Sequence, residues 1–227
     1  MNVGSMERQT IIGKGFLPKE LPPLFTSEPF AGFIEVQHPF RIEPGPRHPR
    51  GSTNTVPVSH NLARPGNLRR KLQIPNPLSF YELASTVSEH WDEIQSHIRR
   101  SPYSISVPVA DPAEKRALVP EHIGSALIEK RAMNRAMGRV VLRTDVARFY
   151  PSIYTHVIPW AFVGKKQAKV NRSGGLGNEL DRLIRCAQDG QTVGIPVGPD
   201  TSLVIAEAVA ASLDIELSQF GFQGFRF

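Results

Sequence analysis

Apolar residues recur at helical spacing over residues 79–98, where Leu83, Val87, Trp91, Ile94 and Ile98 share one face. Ser79-Phe-Tyr-Glu82 has the form of a capping box and predicts the start of that helix; Ser101-Pro102 predicts its end. Upstream, Arg64-Pro-Gly-Asn67 has the composition of a turn, and Leu68–Ile74 alternates apolar and basic residues. Together they predict a hairpin whose second strand is Leu68–Ile74. A second helix is expected within 120–137, closed by Gly138. The apolar run Val140-Val141-Leu142 then predicts a buried strand over 139–145.

The C-terminal third is equally patterned. Gly174, Gly175 and Gly177 mark a flexible turn, and Leu180, Leu183, Ile184 and Ala187 predict a helix that stops at Gly190. Residues 201–219 are rich in Ala and Val nearly all round, which predicts a buried helix capped by Asp200 or Thr201 and stopped by Gly221. Residues 222–227 have the pattern of a strand start with no partner in the chain. Residues 1–50 are rich in Pro and lack a period, so an extended arm is expected there, with a loop over 44–50. No internal repeat is visible.

Composition narrows the class. The chain has 227 residues, 40% hydrophobic and 21% charged, which suits a globular α+β protein of one large or two small domains. Its net charge is +6. Between residues 41 and 71 lie Arg41, Arg47, Arg50, Arg64, Arg69, Arg70 and Lys71 against one acid, Glu43, so the excess is concentrated in the N-terminal third. A phosphate-rich partner fits that asymmetry. One cysteine, Cys186, rules out an intrachain disulfide; it lies on the apolar side of its helix and is read as core. No apolar run approaches a membrane span and the N-terminus lacks a secretion pattern, so a cytoplasmic protein is expected.

Chemistry concentrates in two stretches. The first is Arg143-Thr-Asp-Val-Ala-Arg-Phe-Tyr-Pro-Ser-Ile-Tyr154. A lone Asp145 after an apolar run would be a helix cap or a polar strand end. Phe149 and Tyr150, four and five residues on, favour a carboxylate holding a divalent cation beside an aromatic plate for a sugar. The second is Gly194-Ile-Pro-Val-Gly-Pro-Asp-Thr-Ser202, a tight turn that brings backbone close to a ligand and opens a helix. His156 is read as a cap or a core hydrogen-bonding residue rather than a metal ligand, and Trp160 as core. Lys165-Lys166-Gln-Ala-Lys169 with Arg172 forms a basic loop, either a solvated surface or a phosphate contact.

These two stretches resemble palm motifs of reverse transcriptases. The longer string Phe149-Tyr-Pro-Ser-Ile-Tyr-Thr-His-Val-Ile-Pro-Trp160 is similar to bacterial members associated with antiphage defence and abortive infection. The resemblance covers the chain after about residue 15. It implies right-hand polymerase fingers and a partial palm without a thumb: an arm over 1–50, fingers over 51–138 and palm over 139–227. It also implies an RNA-directed DNA polymerase using Mg²⁺ or Mn²⁺, an RNA template, a DNA primer or product, and deoxynucleoside triphosphates, with no membrane partner. Asp145 would be catalytic and bind metal, with the Val146 carbonyl as a backbone ligand. Tyr150, with Phe149 beside it, would gate the sugar 2′ position. Pro196 and Gly198 would form the turn against the nucleotide. Arg70, or its neighbour Arg69, would hold the triphosphate, and Arg64 would play a second cationic role where other members have Lys. Val197 departs from the Gln of many members, which puts efficiency and substrate choice in question.

Reverse transcriptases carry further metal-binding carboxylates in an Asp-Asp hairpin, and this chain contains no Asp-Asp pair. The sequence therefore reads as the N-terminal part of such an enzyme, inactive and unstable alone, joined in function by a missing palm and thumb portion. Two alternatives stay open. One is a catalytically dead nucleic-acid-binding protein or a subunit of a split polymerase. The other is an RNA-templated RNA polymerase, which Tyr150 opposes because ribonucleotides need room for the 2′-hydroxyl.

Overall fold

The structure is a computed structural model, which describes residues 6–22, 24–36, 54–111, 113–121 and 124–227. The expected loop over 44–50, with Arg41, Arg47 and Arg50 of the basic stretch, lies outside them. The helices are α1 (Arg8–Gly15), α2 (Glu28–Val36), α3 (Pro77–Glu89), α4 (Trp91–Ile98), α5 (Ser125–Met137), α6 (Phe149–Ser152), α7 (Val157–Val163), α8 (Lys165–Val170), α9 (Leu176–Cys186) and α10 (Asp200–Ser218). The strands form two antiparallel pairs, β1 (Val58–Arg64) with β2 (Leu68–Ile74) and β3 (Pro108–Ala110) with β4 (Leu118–Pro120). The architecture is mixed α and β, with helices dominating.

Helix α10 organises the core. It packs against α1, α3, α4, α7 and β3. Its buried positions include Val204, Ile205, Ala206, Ala208, Val209, Ala210 and Ala211, so small side chains let neighbouring helices approach closely. The expected buried helix is therefore present, although its last turns emerge and leave Leu213 and Leu217 half exposed. The Ala208 carbonyl bonds the buried His97 ring of α4 through Nε2 at 2.9 Å.

The amphipathic stretch of 79–98 buries Leu83, Val87, Trp91, Ile94 and Ile98 as its pattern requires. It differs in two details. The helix begins earlier, because Asn76 Oδ1 accepts from Leu78 N at 2.9 Å and Pro77 starts the first turn. The Ser79 hydroxyl is then taken by Thr55 Oγ1 at 2.7 Å, so no capping box forms. The run also breaks at His90 (φ −109°, ψ 22°), which separates α3 from α4. Helix α9 starts at Leu176, directly after Gly175, and Gly177 lies inside it rather than in a turn. A Cβ at Gly177 would sit 2.6 Å from Pro159 Cα, which sets how closely α9 meets α7.

Five further expectations need correction. The described part of the arm expected over 1–50 is not extended throughout but carries α1 and α2, because Ile11, Ile12, Phe16 and Ile34 bury against the core. Residues 139–145 form no strand, and Val140 and Leu142 are exposed, because no described segment offers them a backbone ladder. Residues 222–227 do find a partner: Arg226 N donates to Tyr103 O at 2.7 Å and Ile105 N to Arg226 O at 3.0 Å. The basic 165–170 stretch is the helix α8 rather than a loop. Trp160 is half buried, with Lys165 Nζ 4.8 Å from its ring centroid. By contrast, the hairpin forms with Leu68–Ile74 as its second strand, Gly138 closes α5, and Cys186 is buried.

The C-terminal segment is fixed by charge. Arg226 reaches between two buried carboxylates of α10, with Nη1 2.8 Å from Glu207 Oε1 and Nε 2.9 Å from Asp214 Oδ2. Ser104 Oγ donates to Glu207 at 3.1 Å and Ser101 Oγ to Asp214 at 2.6 Å. Removing the cation leaves two desolvated carboxylates unbalanced. Arg226→Ala is therefore expected to lower stability by about 3 kcal/mol, measured from urea unfolding midpoints. A loss below about 0.5 kcal/mol would mean that the pair behaves like an exposed one.

Candidate functional site

Backbone hydrogen bonds gather the two motif stretches and the hairpin. Ile195 N donates to the Tyr150 carbonyl at 3.0 Å and Gly194 N to the Ile153 carbonyl at 2.7 Å. Gln73 N, on β2, donates to the Val197 carbonyl at 2.9 Å. The Gln188 side chain locks the turn from beneath, donating through Nε2 to the carbonyls of Gly194 at 2.7 Å and Gln191 at 3.0 Å. Pro196 and Val197 are buried in this turn. Gly198 has φ +140°, and Pro18 occupies the space that a Cβ would need. Both the backbone angle and the close approach require glycine there.

Strand alternation decides which basic residue faces the turn. Leu72 is buried and Arg70 half buried on one face of β2, while Arg69 and Lys71 are exposed on the other. Arg70 Nη1 lies 3.1 Å from Glu20 Oε1, in a strap that follows α1. Tyr150 is half buried, and burial pushes its hydroxyl up to about 12. The charges of Glu207, Arg70, Asp200 and Glu20 also act on the hydroxyl. At neutral pH the phenol stays protonated and able to donate a hydrogen bond. Phe149 meets the Tyr150 ring edge-on, with centroids 6.2 Å apart.

Other expected site residues stand apart. Arg64 is exposed at the hairpin turn. Asp145 and Val146 are exposed on the extended limb before α6, and Arg148, in left-handed conformation (φ 55°, ψ 44°), turns that limb into the helix. Among the described residues no group of three or more His, Cys, Asp or Glu suits a metal ion. Two-metal nucleotidyl transfer needs several carboxylates converging on one place. The described residues therefore do not make up a two-metal centre. His156 forms no cap; its Nδ1 lies 2.8 Å from Oδ2 of the buried Asp181, which also accepts from Arg185 Nε at 3.2 Å.

Asp200 is not a cap either. Its carboxylate pairs with Arg116 and accepts from Leu118 N at 3.2 Å. Arg116 also donates to the Leu17 carbonyl at 2.6 Å and the Gly198 carbonyl at 3.4 Å. Strap, β4, turn and α10 thus share one cation. Glu20, Arg116 and Gln188 were not singled out by sequence. Nothing in a single acid or amide signals which distant backbone it will meet.

Burial raises the Asp200 carboxyl from 3.8 to about 6, despite Arg116. Between those values the folded chain binds more protons than the unfolded one, so this group lowers stability as pH rises from about 4 to about 6. The expected total change across that window is on the order of 2–3 kcal/mol. Asp200→Asn removes it, leaving a constant offset from the unpaired Arg116. Urea unfolding of both chains across this range checks the sign; parallel pH profiles would contradict it.

Neither a model of a known protein family nor a curated protein matches the chain.

Proposed function

We propose that this chain is the nucleotide-holding part of a reverse-transcriptase-like polymerase, an RNA-directed DNA polymerase with right-hand fingers and partial palm. The observation that carries the reading is the convergence of Arg70, Tyr150 and the turn at residues 194–199. Motif likeness gives each of them a role around one nucleotide. Backbone hydrogen bonds, which owe nothing to that likeness, support it: they join the turn to Tyr150 and to Gln73 on the strand that carries Arg70.

The division of labour follows from the side chains. Arg70 supplies a planar cation for the oxygens of a deoxynucleoside triphosphate. The Tyr150 ring and its neighbour Phe149 form an apolar wall against the sugar, where a 2′-hydroxyl would lose hydration without gaining a partner. Pro196 and Gly198 offer a close backbone surface for the nucleotide or template base. Arg64, exposed with Arg69 and Lys71, is suited to template or primer phosphates. Asp145 and the Val146 carbonyl are the chain's contribution to a Mg²⁺ or Mn²⁺ site. Such an ion, when bound, neutralises charge developing on the transferred phosphate. No further carboxylate converges on Asp145 among the described residues, so no bond-making step is assigned to this chain.

The exposure of Asp145 and of the basic outer face of β2 favours a second reading, a nucleic-acid-binding protein without catalysis.

Calorimetric titration with deoxy- and ribonucleoside triphosphates tests the first reading. Arg70→Ala is expected to weaken both by about ten- to a hundredfold, since a charge-assisted contact contributes roughly 1.5–3 kcal/mol. Tyr150→Ala is expected to narrow the gap between deoxy and ribo forms. Unchanged nucleotide binding in both variants, with RNA binding intact, would replace this reading by the second.

A further inference from the structure

The strap between α1 and α2 is held at several points. The Phe16 ring is buried against Phe80, with centroids 4.7 Å apart. Arg116 holds the Leu17 carbonyl, and Pro18 fills the notch at Gly198. Leu21 N donates to the Pro18 carbonyl at 3.1 Å, closing a turn that carries Lys19 and Glu20. Glu20 is thereby presented to β2 by a fixed backbone. Its carboxylate meets Arg70, the inward-facing cation of that strand. A carboxylate on a guanidinium occupies the same donors that phosphate oxygens would take.

We infer that Glu20 is a built-in competitor for phosphate at Arg70. It covers the cation in the free chain and swings aside when a polyphosphate arrives. The inference rests on the proposed role of Arg70. The strap need not move, because a side-chain rotation frees the guanidinium. The exchange is easy because both partners retain solvent contact, with side-chain exposures of 35% for Arg70 and 17% for Glu20. Partly solvated pairs of this kind are weak, so the contact tempers affinity without abolishing it. The ligand is defined by its phosphate oxygens, which a free triphosphate or a nucleic-acid backbone both provide.

The test is a double-mutant cycle on the full chain, with inorganic tripolyphosphate as the probe and calorimetry as the readout. Glu20→Gln should tighten binding by about two- to fivefold, the range expected for a weak pair. The gain should vanish in the Arg70→Ala background, which separates competition from a general reduction in negative charge. An equal gain in both backgrounds overturns the inference. So does unchanged or weaker binding in Glu20→Gln while Arg70→Ala still costs affinity, since Glu20 would then position Arg70. If Arg70→Ala has no effect in either background, the proposed role of Arg70 itself fails. A short oligodeoxynucleotide without terminal phosphate, run in parallel, identifies the source. A gain for tripolyphosphate alone indicates a free polyphosphate ligand, and a matching gain for the oligonucleotide indicates a strand backbone.

Discussion

The guanidinium of Arg116 is the contact on which the arrangement of this molecule depends. It binds the Asp200 carboxylate at the start of the central helix, the Gly198 carbonyl of the motif turn and the Leu17 carbonyl of the strap. Segments 99 and 82 residues away in sequence are thereby held at one cation. Burial makes the Asp200 charge costly, and Arg116 offsets that cost only while all partners stay in place. Cation, turn and strap are therefore mutually conditional.

A second charge cluster works in the same way at the other end of α10. Glu207 and Asp214 are buried on a helix rich in Ala and Val, and Arg226 brings the C-terminal segment to them. Helix α10 is thus fixed at two places by carboxylates that require a partner, rather than by apolar packing alone. Packing would tolerate small rotations of an Ala-rich helix. Paired buried charges restrict it much more, because each misplacement leaves a group unsatisfied. This explains how a smooth, Ala- and Val-rich surface still sets the position of the turn that precedes it.

Much of the local structure was legible in the sequence. The hairpin, the amphipathic run of 79–98, the helix ending at Gly138 and the central helix all follow from period and turn chemistry. What failed depended on distant partners. The strand expected over 139–145 has the right apolar run but no described neighbour to complete its ladder. Residues 222–227 looked unpaired, yet Arg226 finds Tyr103, Ile105 and two acids. Asp200 had the sequence position of a cap, but Arg116, in the loop before β4, claims its carboxylate. Of the candidate site, Arg70, Tyr150 and the turn were legible through motif likeness. Alternation along β2 then separates Arg70 from Arg69. Glu20 and Arg116 carry no sequence signal, because their roles arise only from the approach of the strap.

The central claim is that the hairpin, α6 and the motif turn form one nucleotide-binding surface. It is tested most directly by following backbone amide resonances during titration with a deoxynucleoside triphosphate. Saturable shifts are expected at Gln73, Tyr150, Ile195 and Val197, the residues whose backbones tie the three segments together. Shifts confined to exposed cations such as Arg69, Lys71 and those of α8, with these four amides unmoved, would contradict it.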